Sequence, residues 1–224
     1  MALVEYDLFG QKRDKVQTAI ERLRAFEPPE EGYYVADSGG KDSTCVVKLC
    51  EMSGVKFDAH YNATTIDPPQ LVRFIRQRHP KTEIEKPEYT MRELIVKEQM
   101  PPTRLMRYCC KHLKELHGQG RVVVTGVRWA ESGNRKNNQG LVTFATASKE
   151  LNNAADLSGA EPKRTSRGGL ILNTDNDESR RMVEMCYRTH KTLVNPIIDW
   201  TDEDVWEFIR HYNVPYCELY DCGF

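Results

Sequence analysis

A glycine-rich segment, Ser38-Gly39-Gly40-Lys41-Asp42-Ser43-Thr44, carries the clearest chemical pattern in the sequence. Adjacent glycines permit backbone conformations closed to other residues and let a ligand approach the chain. Successive N–H groups in such a turn form an anion-binding nest, and a helix that starts there adds the positive end of its dipole. Lys41 supplies a mobile cation, and three hydroxyls stand beside it. The segment therefore predicts a phosphate-binding loop rather than an ordinary capped turn, although its spacing is not that of Walker A.

A second charged segment follows three consecutive valines and contains Gly126, Arg128, Glu131, Ser132 and Arg135. Arginine grips phosphate or sulfate with paired donors, whereas lysine offers a point charge. Glu131 could orient an arginine or help to hold a metal such as Mg²⁺. A solvated loop is the alternative for such a charge run. Its place after a buried strand, however, favours a second part of the anion site.

The seven cysteines are an odd number, and no secretion signal is visible, so reduced thiols, a metal site or redox chemistry are favoured over disulfides. Cys109 and Cys110 are adjacent. If their segment is helical, Arg104, Arg107 and Lys114 form a basic stripe beside them. Nearby cations lower the pKa of a thiol and favour the thiolate, which is the form that attacks or binds metal. Three other cysteines are expected in the core: Cys45, Cys50 and Cys186.

Apolar runs and helical patterns alternate along the chain and must position these groups. The predicted strands cover residues 32–36, 55–61, 82–86, 121–127 and 194–198. The predicted helices cover residues 14–26 and 42–52 and begin at Asp67, Thr90 and Thr201, which are good N-cap residues. This alternation predicts an α/β fold with an open, mostly parallel, Rossmann-like five-stranded sheet and helices on both faces. Such sheets bind ligands beyond the carboxyl ends of their strands, where the charged motifs fall.

Length and composition fit one domain over residues 1–224, since 39% of the residues are hydrophobic and 29% are charged. Residues 136–190 are polar and predict an irregular insertion with one helix near residues 178–187, either a lid or surface decoration. No apolar run is long enough to cross a bilayer. The chain is therefore expected to be cytoplasmic, and its net charge of −1 argues against a globally basic nucleic-acid binder.

The phosphate-loop motif Ser-Gly-Gly-Lys-Asp-Ser resembles that of the adenine-nucleotide α-hydrolases, the superfamily of PP-loop ATP pyrophosphatases. Together with Gly126-x-Arg128 and the segment Asn195-Pro-Ile-Ile-Asp199-Trp, it resembles the reductases of phosphoadenylyl sulfate (PAPS) and adenylyl sulfate (APS), including phage and mobile-element members. The resemblance extends from about Tyr33 to Phe224. Helix capping by Thr201 explains much of the Asn195–Asp199 segment without a ligand.

The resemblance implies that ATP, APS or PAPS is the bound nucleotide. Lys41, Arg128 and Arg135 are then the expected catalytic residues. The nucleotide-binding residues that it implies are Ser38, Gly39, Gly40, Lys41, Asp42, Ser43, Asn62, Thr65, Asp67, Gly126, Arg128, Glu131 and Arg135. Asp67 has a second interpretation as a simple N-cap.

In APS-type reductases a Cys-Cys pair and a later Cys-x-x-Cys hold an iron–sulfur cluster, and Cys109-Cys110-Lys111 resembles the first half of that motif. No Cys-x-x-Cys occurs in these 224 residues. Cys109, Cys110, Cys217 and Cys222 could supply the four ligands of a [4Fe–4S] cluster, but this spacing departs from that of the family. Asp221-Cys222-Gly223 also bears a slight likeness to the reductase tail that carries the nucleophile. The cluster therefore stays an open question.

The leading hypothesis is thiol-dependent reduction of PAPS or APS to sulfite, with a thioredoxin-like donor. A second hypothesis is an ATP pyrophosphatase that adenylates a target for sulfur transfer, as in DNA phosphorothioation or tRNA thiolation, and a nucleic-acid partner belongs to that hypothesis alone. A third is a non-catalytic nucleotide-sensing module. The sequence leaves a homodimer open.

Overall fold

The computed structural model of the protein describes residues 3–6, 10, 12–103, 106–113, 117–146, 148–166 and 168–223. Its strands are β1 (Val4–Tyr6), β2 (Lys12–Asp14), β3 (Tyr33–Ala36), β4 (Phe57–Asn62), β5 (Glu83–Glu85), β6 (Val122–Val124), β7 (Val142–Phe144), β8 (Lys163–Arg164), β9 (Leu170–Leu172) and β10 (Thr192–Val194). Its α-helices are α1 (Lys15–Ala25), α2 (Lys41–Ser53), α3 (Pro69–Arg78), α4 (Met91–Glu98), α5 (Tyr108–Leu113), α6 (Gly133–Asn138), α7 (Lys149–Ser158), α8 (Asp177–Cys186) and α9 (Asp202–His211). Short 3-10 turns cover Trp129–Glu131 and Glu218–Cys222.

The central sheet has the strand order β5-β4-β3-β6-β10-β7-β9-β8. Its first five strands are parallel and correspond to the five predicted strands, so the predicted α/β class is confirmed. The last three pair antiparallel and come from the segment that was expected to be irregular. A separate hairpin of β1 and β2 leads into α1.

One face of this sheet carries the main apolar core. Alternate strand residues such as Tyr33, Val35 and Val124 point into it and are buried, because successive side chains of a strand face opposite sides. Side chains of α1, α2, α7, α8 and α9 cover this face. The predicted core cysteines, Cys45, Cys50 and Cys186, are all buried here. The opposite face lines a cavity bordered by α6.

The segment 136–190 departs most from expectation. Helix α8 lies where one helix was predicted, but the segment also forms β7, β8, β9 and α7. The strands escaped prediction because each has only two or three residues, too few for a periodic pattern to be recognised. The segment therefore extends the sheet as part of its framework.

Two predicted boundaries also change. The strand expected at residues 194–198 is Thr192–Val194, and the chain leaves it at Asn195, whose side chain donates to the Gly140 carbonyl (2.7 Å). The helix start expected at Asp67 is wrong in detail. Pro68 is the N-cap of α3, and Asp67 instead accepts hydrogen bonds within its own loop. The predicted N-caps at Thr90 and Thr201 are both present, and each forms a capping box. In the part of the chain that the structure describes, no helix is long and apolar enough to span a membrane.

A buried ion pair attaches α1 to α9. The Lys15 ammonium, 5% exposed, donates to the fully buried Asp204 carboxylate at 2.7 Å and also pairs with Glu5. Burial alone would lower the pKa of Lys15, but its two carboxylate partners raise that pKa above the ordinary value. Removing the cation would leave Asp204 as an unpaired buried charge, which is far costlier than replacing the whole pair.

Lys15→Met is therefore expected to lower the free energy of unfolding by about 3 kcal/mol. Urea denaturation followed by circular dichroism measures it. The double variant Lys15→Met/Asp204→Asn should recover most of the loss, because it leaves no buried charge. Lys12→Met, at an exposed position, serves as the control and should change stability by less than about 0.5 kcal/mol. A double variant as unstable as Lys15→Met would contradict this assignment.

Candidate nucleotide-binding site

The predicted phosphate loop joins β3 to α2 and leaves the start of that helix without a side-chain cap. The N-cap residue is Gly40, which has no side chain to accept a hydrogen bond from the helix. Inside the loop, the Ser38 N–H donates to the Ser43 hydroxyl (3.2 Å), and Ser43 donates to the Gly40 carbonyl (3.0 Å). These short-range bonds fix the loop in a tight turn. The positive end of the α2 dipole therefore lies at this loop.

Two glycines are required by close packing at this point. Gly39 has φ +69°, and a Cβ on it would lie 2.8 Å from the Ile75 side chain of α3. A Cβ on Gly126 would lie 2.8 Å from the backbone carbonyl carbon of Asp42. The end of β6 can thus approach the first turn of α2 only because residue 126 lacks a side chain. Gly126 was predicted as a nucleotide contact, and the structure gives it this packing role.

Asp37 holds the loop from behind, and sequence reasoning missed it. Its carboxylate, 1% exposed, accepts from the Gly39 N–H (2.9 Å), and the same oxygen lies 3.3 Å from the Ser43 hydroxyl. Its other oxygen lies 2.5 Å from Nδ1 of His79 and accepts from Thr82 (3.0 Å). Burial alone would raise the pKa of Asp37, but its hydrogen bonds and the charge of His79 hold that pKa below the ordinary value. The site thus contains a buried carboxylate that stays ionised.

Lys41 and Arg128 converge on shared carboxylates in front of the loop. The Lys41 ammonium lies 2.9 Å from Asp202 and 3.6 Å from Asp42. The Arg128 guanidinium, 2% exposed, lies 3.1 Å from the same Asp202 oxygen and 2.8 Å from Asp42. Burial alone would raise the pKa of Asp202, yet Lys41 and Arg128 lower it below the ordinary value. The structure therefore brings together two of the three predicted catalytic cations.

Arg135, the third predicted catalytic cation, lies on α6 and is paired with Glu131. Burial lowers the pKa of Arg135, Asp42 partly offsets this, and the charges of Arg128 and Arg107 lower it further. Glu131, which was expected to orient an arginine or to help hold a metal, is thus the ion-pair partner of Arg135.

The loop that follows β4 is fixed by its own side chains. Asp67 accepts from the Tyr61 hydroxyl (2.5 Å) and the Thr64 N–H (2.9 Å). Thr65 has φ +66°, and its hydroxyl accepts the Met91 N–H of α4 (2.9 Å). Asn62 accepts from the Tyr34 hydroxyl at 3.4 Å. Of the predicted contacts here, Asp67 and Thr65 shape the loop, and Asn62 faces the cavity described next.

A cavity of about 500 Å³ opens on the sheet face opposite the main core. Ala36 and Asn62 line the end nearest the phosphate loop, and Arg135 extends into it from α6. Tyr34, Thr125 and Thr143 lie along the sheet, and Lys191 borders the far end. A smaller cavity of about 140 Å³ lies between Ser38, Asn62 and Asp67. These volumes are of the size that small molecules occupy in proteins, and their lining mixes apolar surface with a few polar groups.

Tyr220 also reaches the phosphate loop from the C-terminal 3-10 turn, which sequence reasoning did not foresee. The Lys41 N–H donates to its hydroxyl (3.1 Å), and the Lys41 ammonium lies 5.7 Å from its ring centre. Trp206 packs edge-to-face against Tyr220, with ring centres 5.6 Å apart. The turn is therefore fixed against the first turn of α2.

The cysteines do not gather into one group. Cys217, 1% exposed, is buried against Tyr61 and Phe74, whereas Cys222 is exposed. Cys109 and Cys110 lie on α5, where Arg107 donates to the Cys110 sulfur (3.2 Å). Burial, the neighbouring Cys110 and a hydrogen bond to it raise the pKa of Cys109. Two members of the predicted basic stripe, Arg104 and Lys114, lie outside the described residues.

Neither predicted metal group is supported by a cluster of ligands among the residues that the structure describes. Over the described ranges, no three or more His, Cys, Asp or Glu side chains are arranged to hold a metal ion. A [4Fe–4S] cluster on Cys109, Cys110, Cys217 and Cys222 would need Cys217 to leave its apolar surroundings. The carboxylate that was considered for Mg²⁺, Glu131, is paired with Arg135.

The match to a family model now agrees with this geometry. The model of the phosphoadenosine phosphosulfate reductase domain matches residues 32–224, and the chain belongs to that family. It is similar in fold to a phosphoadenylyl-sulfate reductase from Candida auris, with a TM-score of 0.50 and 18% identity over 92% of this chain and 85% of that one. An FMN adenylyltransferase from Candida glabrata also has a TM-score of 0.50, with 12% identity over 94% of this chain and 60% of that one.

Sequence similarity to individual curated proteins is short. A phosphoadenosine 5′-phosphosulfate reductase from Xylella fastidiosa is 40% identical over 37 residues, which are 16% of this chain and 16% of that protein. An adenosine 5′-phosphosulfate reductase from Allochromatium vinosum is 48% identical over 31 residues, 14% of this chain and 12% of that protein. The family and the fold are thus shown, whereas the reaction is not carried over by these matches.

The low pKa of Asp37 predicts how acid affects the loop. A carboxylate whose folded-state pKa is depressed contributes stability above its unfolded pKa of about 4 and loses it as the pH falls through the folded value. At pH 5 the wild type should exceed Asp37→Asn by about 2 kcal/mol in unfolding free energy, and the gap should shrink toward pH 3. Urea denaturation at both pH values measures this difference in unfolding free energy. The histidines of the unfolded chain are protonated at both pH values.

Asp156→Asn is the matched control, because Asp156 is exposed on α7. Its stability difference from the wild type should stay near zero at both pH values. A gap between wild type and Asp37→Asn that widened toward pH 3 would show that Asp37 is not held ionised.

Proposed function

We propose that this protein is a cytoplasmic enzyme that binds an adenine nucleotide at the carboxyl ends of β3, β4 and β6. Its activity in this proposal is the thiol-dependent reduction of adenylyl sulfate, either PAPS or APS, to sulfite. The Ser38–Ser43 loop binds the phosphate next to the ribose, and the cavity beside Asn62 receives the nucleoside. Lys41, Arg128 and Arg135 neutralise the charge that grows on the leaving phosphate.

The main support for this proposal is that two cations contact one carboxylate oxygen of Asp202. The Lys41 ammonium lies 2.9 Å from that oxygen, and the Arg128 guanidinium lies 3.1 Å from it. A phosphate or sulfate oxygen could take the place of this carboxylate oxygen, because it also accepts charge-assisted hydrogen bonds from lysine and arginine. Asp202 is 60% exposed at its side chain, so it can leave this position at little cost. The positive end of the α2 dipole, which has no side-chain cap, adds a favourable interaction with an anion.

The proposed reaction requires two thiols, which together supply the two electrons that reduce the sulfate group. A thiolate attacks the sulfur of the sulfate group, and the bond between that sulfur and the bridging oxygen breaks. The nucleotide phosphate leaves with the bond electrons, stabilised by the nearby cations. The first thiol now carries the transferred group as an S-sulfonate. A second thiol attacks the sulfur of the first thiol and gives up its proton, the bond from that sulfur to the sulfonate breaks, and a disulfide and sulfite are formed. A thioredoxin-like dithiol supplies both thiols and the two electrons.

A second candidate is ATP-dependent adenylyl transfer, in which an acceptor attacks the α-phosphate and pyrophosphate leaves. Its support is the equal fold similarity to the FMN adenylyltransferase, which was solved with FAD and inorganic pyrophosphate. The cavity of about 500 Å³ offers room for an acceptor group beside the nucleotide. In this case Lys41 and Arg128 would bind the departing pyrophosphate instead of a sulfate.

Lys41→Ala is expected to weaken binding of ATP, APS or PAPS by at least about tenfold, because one charge-assisted hydrogen bond to phosphate is lost. Isothermal titration calorimetry with each nucleotide measures the affinity. Lys48→Ala is the matched control, since Lys48 lies on the same helix and pairs with Glu51 (3.3 Å). Affinity unchanged in Lys41→Ala, or lost equally in Lys48→Ala, would refute the site assignment.

The two candidate reactions release different products. With PAPS or APS, thioredoxin and a reductant, we expect sulfite release that falls at least about tenfold in Arg135→Gln, because a charge on the leaving phosphate loses its partner. With ATP and no sulfated nucleotide, we expect no pyrophosphate. Pyrophosphate release without sulfite would favour adenylyl transfer. Nucleotide recovered unchanged from both reactions would favour the sensing module.

A further inference from the structure

A second cavity lies on the other face of the sheet from the nucleotide cavity. It has a volume of about 450 Å³ and lies between α2, β4, the turn after α3 and the chain after α9. Its apolar walls come from Val47, Phe57, Ala59 and Val214. This volume falls within the ~300–1,000 Å³ range of small-molecule sites in proteins. The cavity shares none of its lining residues with the one that Asn62 and Arg135 border.

Some of the charged side chains at the rim of this cavity already have ion-pair partners, and others do not. Lys48 pairs with Glu51, and Asp58 pairs with Arg121, so these charges already have partners. Arg78 and Lys81 are exposed at the same rim and have no ion pair within the described residues. An apolar cavity with two available cations at its mouth suits a ligand with an apolar body and an anionic end.

His79 connects this cavity to the phosphate loop. It lines the cavity and is 9% exposed, and its Nδ1 lies 2.5 Å from Asp37. Its Nε2 has no hydrogen-bond partner in the described part of the chain. Because Nε2 makes no contact of this kind with the residues that the structure describes, it is available to a polar group of a ligand in the cavity, and that hydrogen bond would favour binding. The same ligand would fix the ring that holds Asp37, and Asp37 in turn accepts the Gly39 N–H.

We propose that this cavity is a regulatory site for an amphipathic organic anion, such as an aromatic carboxylate. The ligand places its apolar body on Val47 and Phe57 and its anionic group near Arg78 and Lys81. A polar contact to His79 then stiffens the bond between Asp37 and the phosphate loop. This site is separate from the nucleotide site and does not depend on which reaction the protein catalyses.

The test uses 2-naphthoate as probe and 2-naphthamide as its uncharged counterpart, with no nucleotide present. Calorimetry should show naphthoate binding to the wild type that weakens about tenfold in Arg78→Ala/Lys81→Ala. The matched control is Arg73→Ala/Arg76→Ala, two exposed cations of α3 that lie outside the cavity. Naphthamide should bind the two double variants equally. Absence of naphthoate binding, or an equal loss in both double variants, would overturn the proposal.

The link to the phosphate loop has its own measurement. Saturating naphthoate should slow hydrogen exchange of the Gly39 amide at least threefold, measured by NMR, because Asp37 then holds that N–H more firmly. In Arg78→Ala/Lys81→Ala at the same probe concentration, the slowing should be smaller. Gly39 exchange that is unchanged in the wild type at saturation would overturn the regulatory role.

Discussion

The buried carboxylate of Asp37 is the interaction on which the site depends. It is 1% exposed and joins the phosphate loop to the end of α3 and the start of β5. Such a charge is tolerated in a dry interior only when its hydrogen-bonding capacity is filled, and here both oxygens have donors. Because Asp37 takes the Gly39 N–H inward, the loop is held in one conformation at the start of α2. The rigidity of the candidate anion site thus comes from Asp37, which lies behind the phosphate loop.

Charge balance in front of the loop follows from the same constraint. Lys41 and Arg128 are set against Asp42 and Asp202, so the site holds its cations in place before any anion arrives. Arg128 is nearly buried, and a buried guanidinium without a carboxylate would be strongly destabilising. Asp42 stays with it on the first turn of α2, whereas in the proposed function the exposed Asp202 is the partner that the ligand replaces. Pre-positioned charges of this kind stabilise a transition state without reorganisation during the reaction.

The sequence allowed prediction of the features whose causes are local. The valines of β6, the glycines of the loop and the caps at Thr90 and Thr201 each act within a few residues, and the structure has them as expected. Asp37 escaped prediction because its partner His79 lies 42 positions away, and neither residue belongs to a recognisable spacing. Tyr220 escaped because its contact with Lys41 spans 179 positions. Polar contacts between residues far apart in the chain produce no periodic pattern that a single sequence could show.

The insertion changes how the nucleotide cavity is understood. Residues 136–190 were expected to form a lid or a surface decoration, yet β7 pairs with β10 and continues the sheet. Thr143 and Ala145 from this segment line the cavity together with Tyr34 and Thr125 from the parallel strands. The parallel part of the sheet therefore supplies the phosphate loop and one wall, and the insertion supplies another. Because a wall determines which groups fit in a cavity, the proposed function makes the choice between a thiol donor and a larger acceptor depend on the insertion as well as on the phosphate loop.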